Sequence, residues 1–108
     1  MILKDFNETF ASELKDPEFQ AEYLKAALAD SPEAFLVALR EVAQANMGIG
    51  QLARRTGRGR ESMYKALSRS GNPGFAAVSS MLEAMDLELS VRRKRRAKRG
   101  DTGLRTGR

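Results

Sequence analysis

The 108 residues contain neither cysteine nor histidine. Without cysteine there are no disulfides and no thiol nucleophile. Without either residue most zinc sites and the commonest general base are also excluded. Tryptophan is missing too, and the aromatic complement is five Phe and two Tyr, so a single domain of this size has a small core that can lean on oligomerisation for stability. Long apolar runs are also absent. The longest, Ala34-Phe-Leu-Val-Ala-Leu39, spans six residues, whereas a bilayer helix needs roughly 20. Met1-Ile-Leu-Lys-Asp-Phe6 lacks the apolar core of a secretory leader, and cysteine absence is compatible with a reducing compartment. The expectation is a soluble, cytoplasmic protein. No nucleophile–base arrangement is present. Scattered carboxylates such as Glu18, Glu22 and Glu33 read as solvated helix faces, so the expectation is no catalytic residue, no metal, no cofactor and no enzymatic activity.

Charge is present in abundance and is polarised. Residues 1–33 carry 8 acidic and 3 basic side chains, residues 34–91 carry 5 and 7, and residues 92–108 carry 1 and 9. The net value of +5 therefore hides an acidic beginning and a strongly basic end. Such asymmetry points to partners of opposite sign, or to a basic tail on a globular body.

Helix signals recur along the chain. Asn7-Glu-Thr-Phe10 to Leu14 predicts a short first helix with Asn7 as a possible N-cap. Asp16-Pro17-Glu18 and Ser31-Pro32-Glu33 are stronger starts: a capping side chain, a proline suited to the first helical position, and an acid at the positive helix end. Phe19, Tyr23, Leu24, Ala27 and Leu28 follow the first at helical spacing; Phe35, Leu36, Leu39, Val42 and Ala43 follow the second. The latter helix should stop near Asn46-Met-Gly48. Two short helices, Gln51–Thr56 and Arg60–Leu67, flank Gly57, and the turn-rich Ser70-Gly-Asn-Pro-Gly74 precedes a helix marked by Phe75, Val78, Met81, Leu82 and Met85. Leu87-Glu-Leu-Ser-Val91 alternates with strand periodicity. A lone strand cannot pair its own backbone, so Leu87, Leu89 and Val91 are read as a dimer strand. Beyond it, RRKRRAKRGDTGLRTGR has no apolar period and reads as disordered in isolation.

The stretch QLARRTGRGRESMYKAL, residues 51–67, holds five cations and two glycines. Read blandly it is a pair of charged surface helices. Its framework argues otherwise. A helix-turn-helix needs a small residue where the helices cross and a residue that tolerates positive φ at the turn. Ala53 and Gly57 supply these, with Leu52, Met63 and Leu67 for the interior. Arg60, Glu61, Tyr64 and Lys65 then share the other face of the second helix, where such side chains reach base edges. Arg54, Arg55 and Arg58 flank the turn and suit backbone phosphates. Gln51, Gly59, Ser62 and Arg69 complete the candidate DNA-binding set. One look-alike is set aside: Gly48-Ile-Gly-Gln-Leu-Ala53 matches G-x-G-x-x-A, but the preceding segment reads as helix rather than strand and no acid occurs in residues 68–75.

Gly48-Ile-Gly-Gln-Leu-Ala-Arg-Arg-Thr-Gly57, Arg60-Glu-Ser-Met-Tyr-Lys-Ala-Leu-Ser68, Gly71-Asn-Pro-Gly-Phe75 and Leu87-Glu-Leu-Ser-Val91 together resemble the "probable addiction module antidote" proteins, HigA-like antitoxins with a lambda-repressor-type helix-turn-helix. The resemblance spans about residues 5–91. It implies a bacterial antitoxin of a type II toxin–antitoxin module that binds operator DNA, represses its own operon and neutralises a RelE/ParE-superfamily, HigB-like toxin. Arg60, Glu61, Tyr64 and Lys65 fall in the DNA-facing slots of that family's motif. Departures are Gly50 and Gly59, where family members often carry Ser, and Arg58, where an apolar turn residue is usual. The basic tail is also longer than the resemblance implies.

The expected architecture is therefore mainly α: a compact five- to six-helix lambda-repressor-like domain with one short C-terminal β-strand and a disordered basic tail. Its expected divisions are an acidic helical segment at 1–31, the DNA-binding domain at 32–91 and the tail at 92–108. The expected partners are double-stranded operator DNA, a small basic toxin docked on the acidic segment, and a second copy in a homodimer, located in the bacterial cytoplasm at the nucleoid, with no membrane. Alternatives are a prophage-type regulator with no toxin, and a nucleoid or RNA binder working mainly through its tail. The tail itself reads as a source of sequence-independent phosphate attraction, as a solvated appendage, or as a contact for RNA or an acidic partner.

Overall fold

A computed structural model describes residues 2–94, with side chains from Glu8 onward. Six helices follow one another: α1 (Ile2–Glu13), α2 (Pro17–Asp30), α3 (Pro32–Asn46), α4 (Ile49–Thr56), α5 (Arg60–Ala66) and α6 (Phe75–Ala84). The two strong start signals act as their chemistry dictates. Asp16 accepts a hydrogen bond from the Phe19 N–H at 2.9 Å, and Ser31 Oγ accepts from the Ala34 N–H at 3.0 Å. Each satisfies one of the orphan donors of the first turn. Asn7 does not cap. It lies inside α1, which begins at Ile2; the local cap propensity yields to a helix already running from the residues before it.

One apolar cluster extends from Leu14 and Leu24 through to Met85. Leu39, Val42 and Ala43 of α3 lie fully buried at its centre beside Leu52, Met63, Leu67 and Met81. Two polar links tie the first helices to α3. Gln20, 1% exposed, donates from Nε2 to the Leu14 carbonyl at 2.7 Å and accepts at Oε1 from Asn46 Nδ2 at 3.2 Å. Both ends of the buried amide are thus used, as burial without loss requires. Phe10, Phe19 and Tyr23 form an aromatic group: Phe10 meets the other two edge-on, at centroid distances of 6.1 and 5.3 Å, and Phe19 stacks on Tyr23 at 6.1 Å. The Tyr23 hydroxyl donates to Glu41 Oε1 on α3.

Among the described residues there is no β-structure, so the strand expected at Leu87–Val91 is not present in the single chain. The reason lies at the end of α6. Asp86 takes a positive φ of 62°. Its N–H bonds the Glu83 carbonyl at 3.0 Å, and the Leu87 N–H bonds the Leu82 carbonyl at 2.8 Å. This paired 5→2 and 6→1 arrangement is a Schellman helix stop, which brings the following apolar side chain back onto the helix. Leu87 therefore packs against the core. Leu89 and Val91 are exposed, the latter by 97%, and a strand there would need a partner that one chain does not supply. The tail expected from residue 92 lies, from residue 95 onward, outside the described residues; Arg92, Arg93 and Lys94 are exposed and irregular.

Gly71 has a different constraint from the glycines that adopt positive φ. A Cβ there would stand 2.2 Å from the Ala66 carbonyl oxygen and 2.8 Å from that of Lys65, so the chain after α5 folds directly over that helix's last carbonyls. Gly71→Ala is expected to cost about 1–3 kcal/mol by overpacking. Gly74→Ser, at a position with nothing within 4 Å of a Cβ and an N-cap backbone, should be neutral or gain a few tenths of a kcal/mol. Equal thermal shifts for the two variants would contradict the close approach.

Burial, reinforced by the hydrogen bond to Glu41 and its charge, pushes the Tyr23 hydroxyl up from 10.0 to about 12. A folded-state value above the unfolded one stabilises fully below pH 10 and is lost as pH rises toward 12. Tyr23→Phe removes this contribution. The melting-temperature gap between wild type and Tyr23→Phe should be widest near neutral pH and narrow through that alkaline window; a pH-independent gap would contradict the contact.

Candidate nucleic-acid interface

The candidate site is built on α4 and α5. Helix α4 ends at Gly57, whose φ of 70° lets its N–H reach the Arg54 carbonyl while the Arg58 N–H bonds that of Ala53 at 2.8 Å. This is again a Schellman stop, here with the residue that adopts the left-handed region at least cost. Arg58 and the extended Gly59 then lead into α5, where Gly59 occupies the N-cap position with no side-chain acceptor. The small Ala53 lies buried in α4, and Leu52, Met63 and Leu67 are completely enclosed. Thr56 folds its hydroxyl back onto the carbonyls of Leu52 and Ala53, at 2.9 and 3.3 Å, so it caps its own helix rather than facing outward.

With that side buried, the opposite side is cationic. Arg54, Arg55, Arg60 and Lys65 are exposed, as are Glu61, Ser62 and Gly59. Arg54 donates to Gln51 Oε1 at 2.7 Å, which steadies its guanidinium along α4. Among the described residues, no ion pair neutralises Arg54, Arg55, Arg60, Lys65 or Arg69; the one present joins Lys25 to Glu22 on α2, at 3.7 Å. A cluster of unneutralised cations on one face raises the local positive potential and attracts polyanions.

Three residues sit differently from their expected places. Arg58 is half-buried rather than free at the surface, and its Nε is enclosed with no hydrogen-bond partner. The side chain is thus enclosed as far as its Nε, as long cationic side chains allow. Arg69 leaves the end of α5 and lines a groove of about 350 Å³ with Glu33, Pro32, Phe35 and Leu28, on the side of the α3 N-terminus. Tyr64 is half-buried against the core, with the guanidinium of Arg40 over its ring at 5.1 Å and that of Arg60 at 6.0 Å. Arg40 escaped the sequence reading because it belongs to α3, 24 residues before Tyr64. The available signal was that it is the one cation in the helix Pro32–Asn46.

The fold and the site define a mainly helical protein that displays a cationic face on two short, core-anchored helices. The chain belongs to the family of probable addiction module antidote proteins, whose family model matches residues 3–93. An uncharacterized protein of Haemophilus influenzae (strain ATCC 51907 / DSM 11121 / KW20 / Rd) is 41% identical over 94 residues, covering 86% of this chain and 94% of the relative. No solved structure matches the chain. Family membership supports an antitoxin role, and an antidote implies a toxin of some kind as its partner.

The orphaned Arg58 Nε carries a testable cost. An unmade buried hydrogen bond costs about 1–3 kcal/mol. Arg58→Met keeps the stem and removes the donor, so its unfolding midpoint should rise, by roughly 4–8 °C for each kcal/mol recovered. A lower midpoint would mean that the outer nitrogens of Arg58 contribute more than the orphaned one costs.

Proposed function

We propose that this chain is a DNA-binding antitoxin in which α4, the Gly57 turn and α5 act as a lambda-repressor-type helix-turn-helix. Helix α5 enters the major groove of its own operator, and the protein represses its own operon. The observation that carries this reading is the division of α4 and α5 into a wholly buried apolar side and an exposed side of unneutralised cations. Arg60 and Lys65 are the base-reading candidates, with Glu61 placed to accept from cytosine or to orient Arg60. Arg54 and Arg55 suit phosphates. In a two-fold dimer the two α5 helices would reach successive major grooves about 34 Å apart. The exposed apolar side chains Phe75 (75% exposed), Leu89 and Val91 favour such an association.

The toxin partner is proposed to be a small basic protein of the RelE/ParE superfamily, HigB-like, docked on the acidic first helices, where Glu8, Glu13, Asp16, Glu18, Glu22 and Asp30 are all exposed. Charge complementarity of this kind steers association. The working location is the bacterial cytoplasm, at the nucleoid.

Two measurements test this reading. Arg60→Ala should weaken binding to the DNA upstream of the chain's own gene by about 1–3 kcal/mol and leave random duplex nearly unaffected. Absence of any preference for the upstream DNA in the wild type would overturn the operator reading. Co-expression with the adjacent small reading frame should yield a stable complex. Failure of a basic partner to co-purify would reduce the protein to a DNA-binding regulator without a toxin.

A further inference from the structure

Arg40 lies outside the two-helix unit, on α3, yet it converges on the same ring as Arg60. Its guanidinium carbon stands 5.1 Å from the centroid of Tyr64, and that of Arg60 stands 6.0 Å away. Arg60 and Tyr64 are four residues apart on one helix face, whereas Arg40 comes from a different helix.

Each cation is attracted by the negative face of the ring. The two cations, however, repel each other, and a ring quadrupole does not neutralise either. Among the described residues no carboxylate pairs with Arg40 or Arg60. Arg40 is also half-buried, so part of its hydration is lost without an ion pair in return. A like-charged pair held beside one ring and left uncompensated is completed by an anion of planar or tetrahedral oxygen geometry, which guanidinium groups bind with two parallel N–H donors. The Tyr64 hydroxyl has no hydrogen-bond partner among the described residues, so the contact made within the protein is that of the ring.

We propose that Arg40 is a further DNA contact, binding a backbone phosphodiester beside the groove entered by α5, and that Tyr64 is its positioning residue, acting through its ring rather than by reading a base through its hydroxyl. This rests on the DNA-binding reading of α4 and α5. It extends the protein's footprint from the two-helix unit to α3, and it moves Tyr64 from the groove-reading set to the supporting structure. The arginine pair would be strained in the free protein and relieved in the complex, because the phosphate supplies the missing negative charge.

The test uses the full chain in fluorescence-anisotropy titrations across a range of salt, on the duplex upstream of its own gene and on a shuffled duplex of equal length. Circular dichroism checks the fold of each variant. Arg40→Gln is expected to lower the slope of log K against log salt by about 1 on both duplexes, since one phosphate contact is lost. The preference for the upstream duplex should remain. Tyr64→Leu should show the same loss of slope, and adding it to Arg40→Gln should cost little more, because both changes remove one contact. Tyr64→Phe, which keeps the ring, should bind as wild type does, whereas Arg40→Lys, which keeps the charge but not the stacked fork of donors, should keep the slope and lose affinity equally on both duplexes.

An unchanged slope for folded Arg40→Gln would overturn the proposal. So would a Tyr64→Phe variant that loses affinity for the upstream duplex alone, since the hydroxyl would then be reading a base. Should Arg40→Gln fail to fold, Tyr64→Leu carries the test, and a slope equal to that of the wild type in that folded variant overturns the proposal. Wild-type protein that binds neither duplex would instead remove the DNA-binding reading itself, a result distinct from an Arg40 effect missing in a protein that binds.

Discussion

Helix α5 is seven residues long, and a helix of that length does not hold itself together in water. Its conformation and direction are imposed from beneath, where Met63 and Leu67 are fully enclosed in the apolar cluster and α5 packs on α4. Every property assigned to its outer face depends on that burial. The Gly57 stop fixes where α4 ends, the passage of Gly71 over the last carbonyls fixes where α5 ends, and the apolar seam fixes the roll of the helix between them. Arg60, Glu61 and Lys65 face outward because Met63 and Leu67 cannot.

The same seam explains how a chain with few aromatics supports an exposed cationic face. Unpaired surface arginines cost little while hydrated. Among the described residues, the two that are partly buried, Arg40 and Arg58, are where the design departs from maximal stability. Arg58 encloses an unpartnered Nε, and Arg40 shares a ring with a second cation. Local departures of this kind collect at functional surfaces.

Much of this architecture was legible in the sequence because its signals are local. Asp16-Pro17 and Ser31-Pro32 announce α2 and α3 through capping chemistry that acts within one turn. The apolar spacing of Leu39, Val42 and Ala43 identifies the buried side of α3 in the same way. Failures came where a local pattern admitted two outcomes. Asn7 carries a capping side chain, but α1 had already begun. Leu87-Glu-Leu-Ser-Val91 alternates like a strand, but its first residue is drawn onto the core by the stop at Asp86, and a ladder needs a second edge.

The sequence by itself determined the starts of α2 and α3, the buried stripes, the glycine at the α4–α5 turn and the concentration of cations around it, because each depends on residues within a few positions of one another. It also carried the string that places the chain in the antidote family. Only the tertiary structure decided which cations share a neighbourhood. Arg40 meets Tyr64 across 24 residues of chain, Gln20 joins the end of α1 to Asn46, and Arg58 turns its stem inward. These contacts follow from how helices pack, and packing is set by the sum of the buried surfaces rather than by the spacing within any one of them.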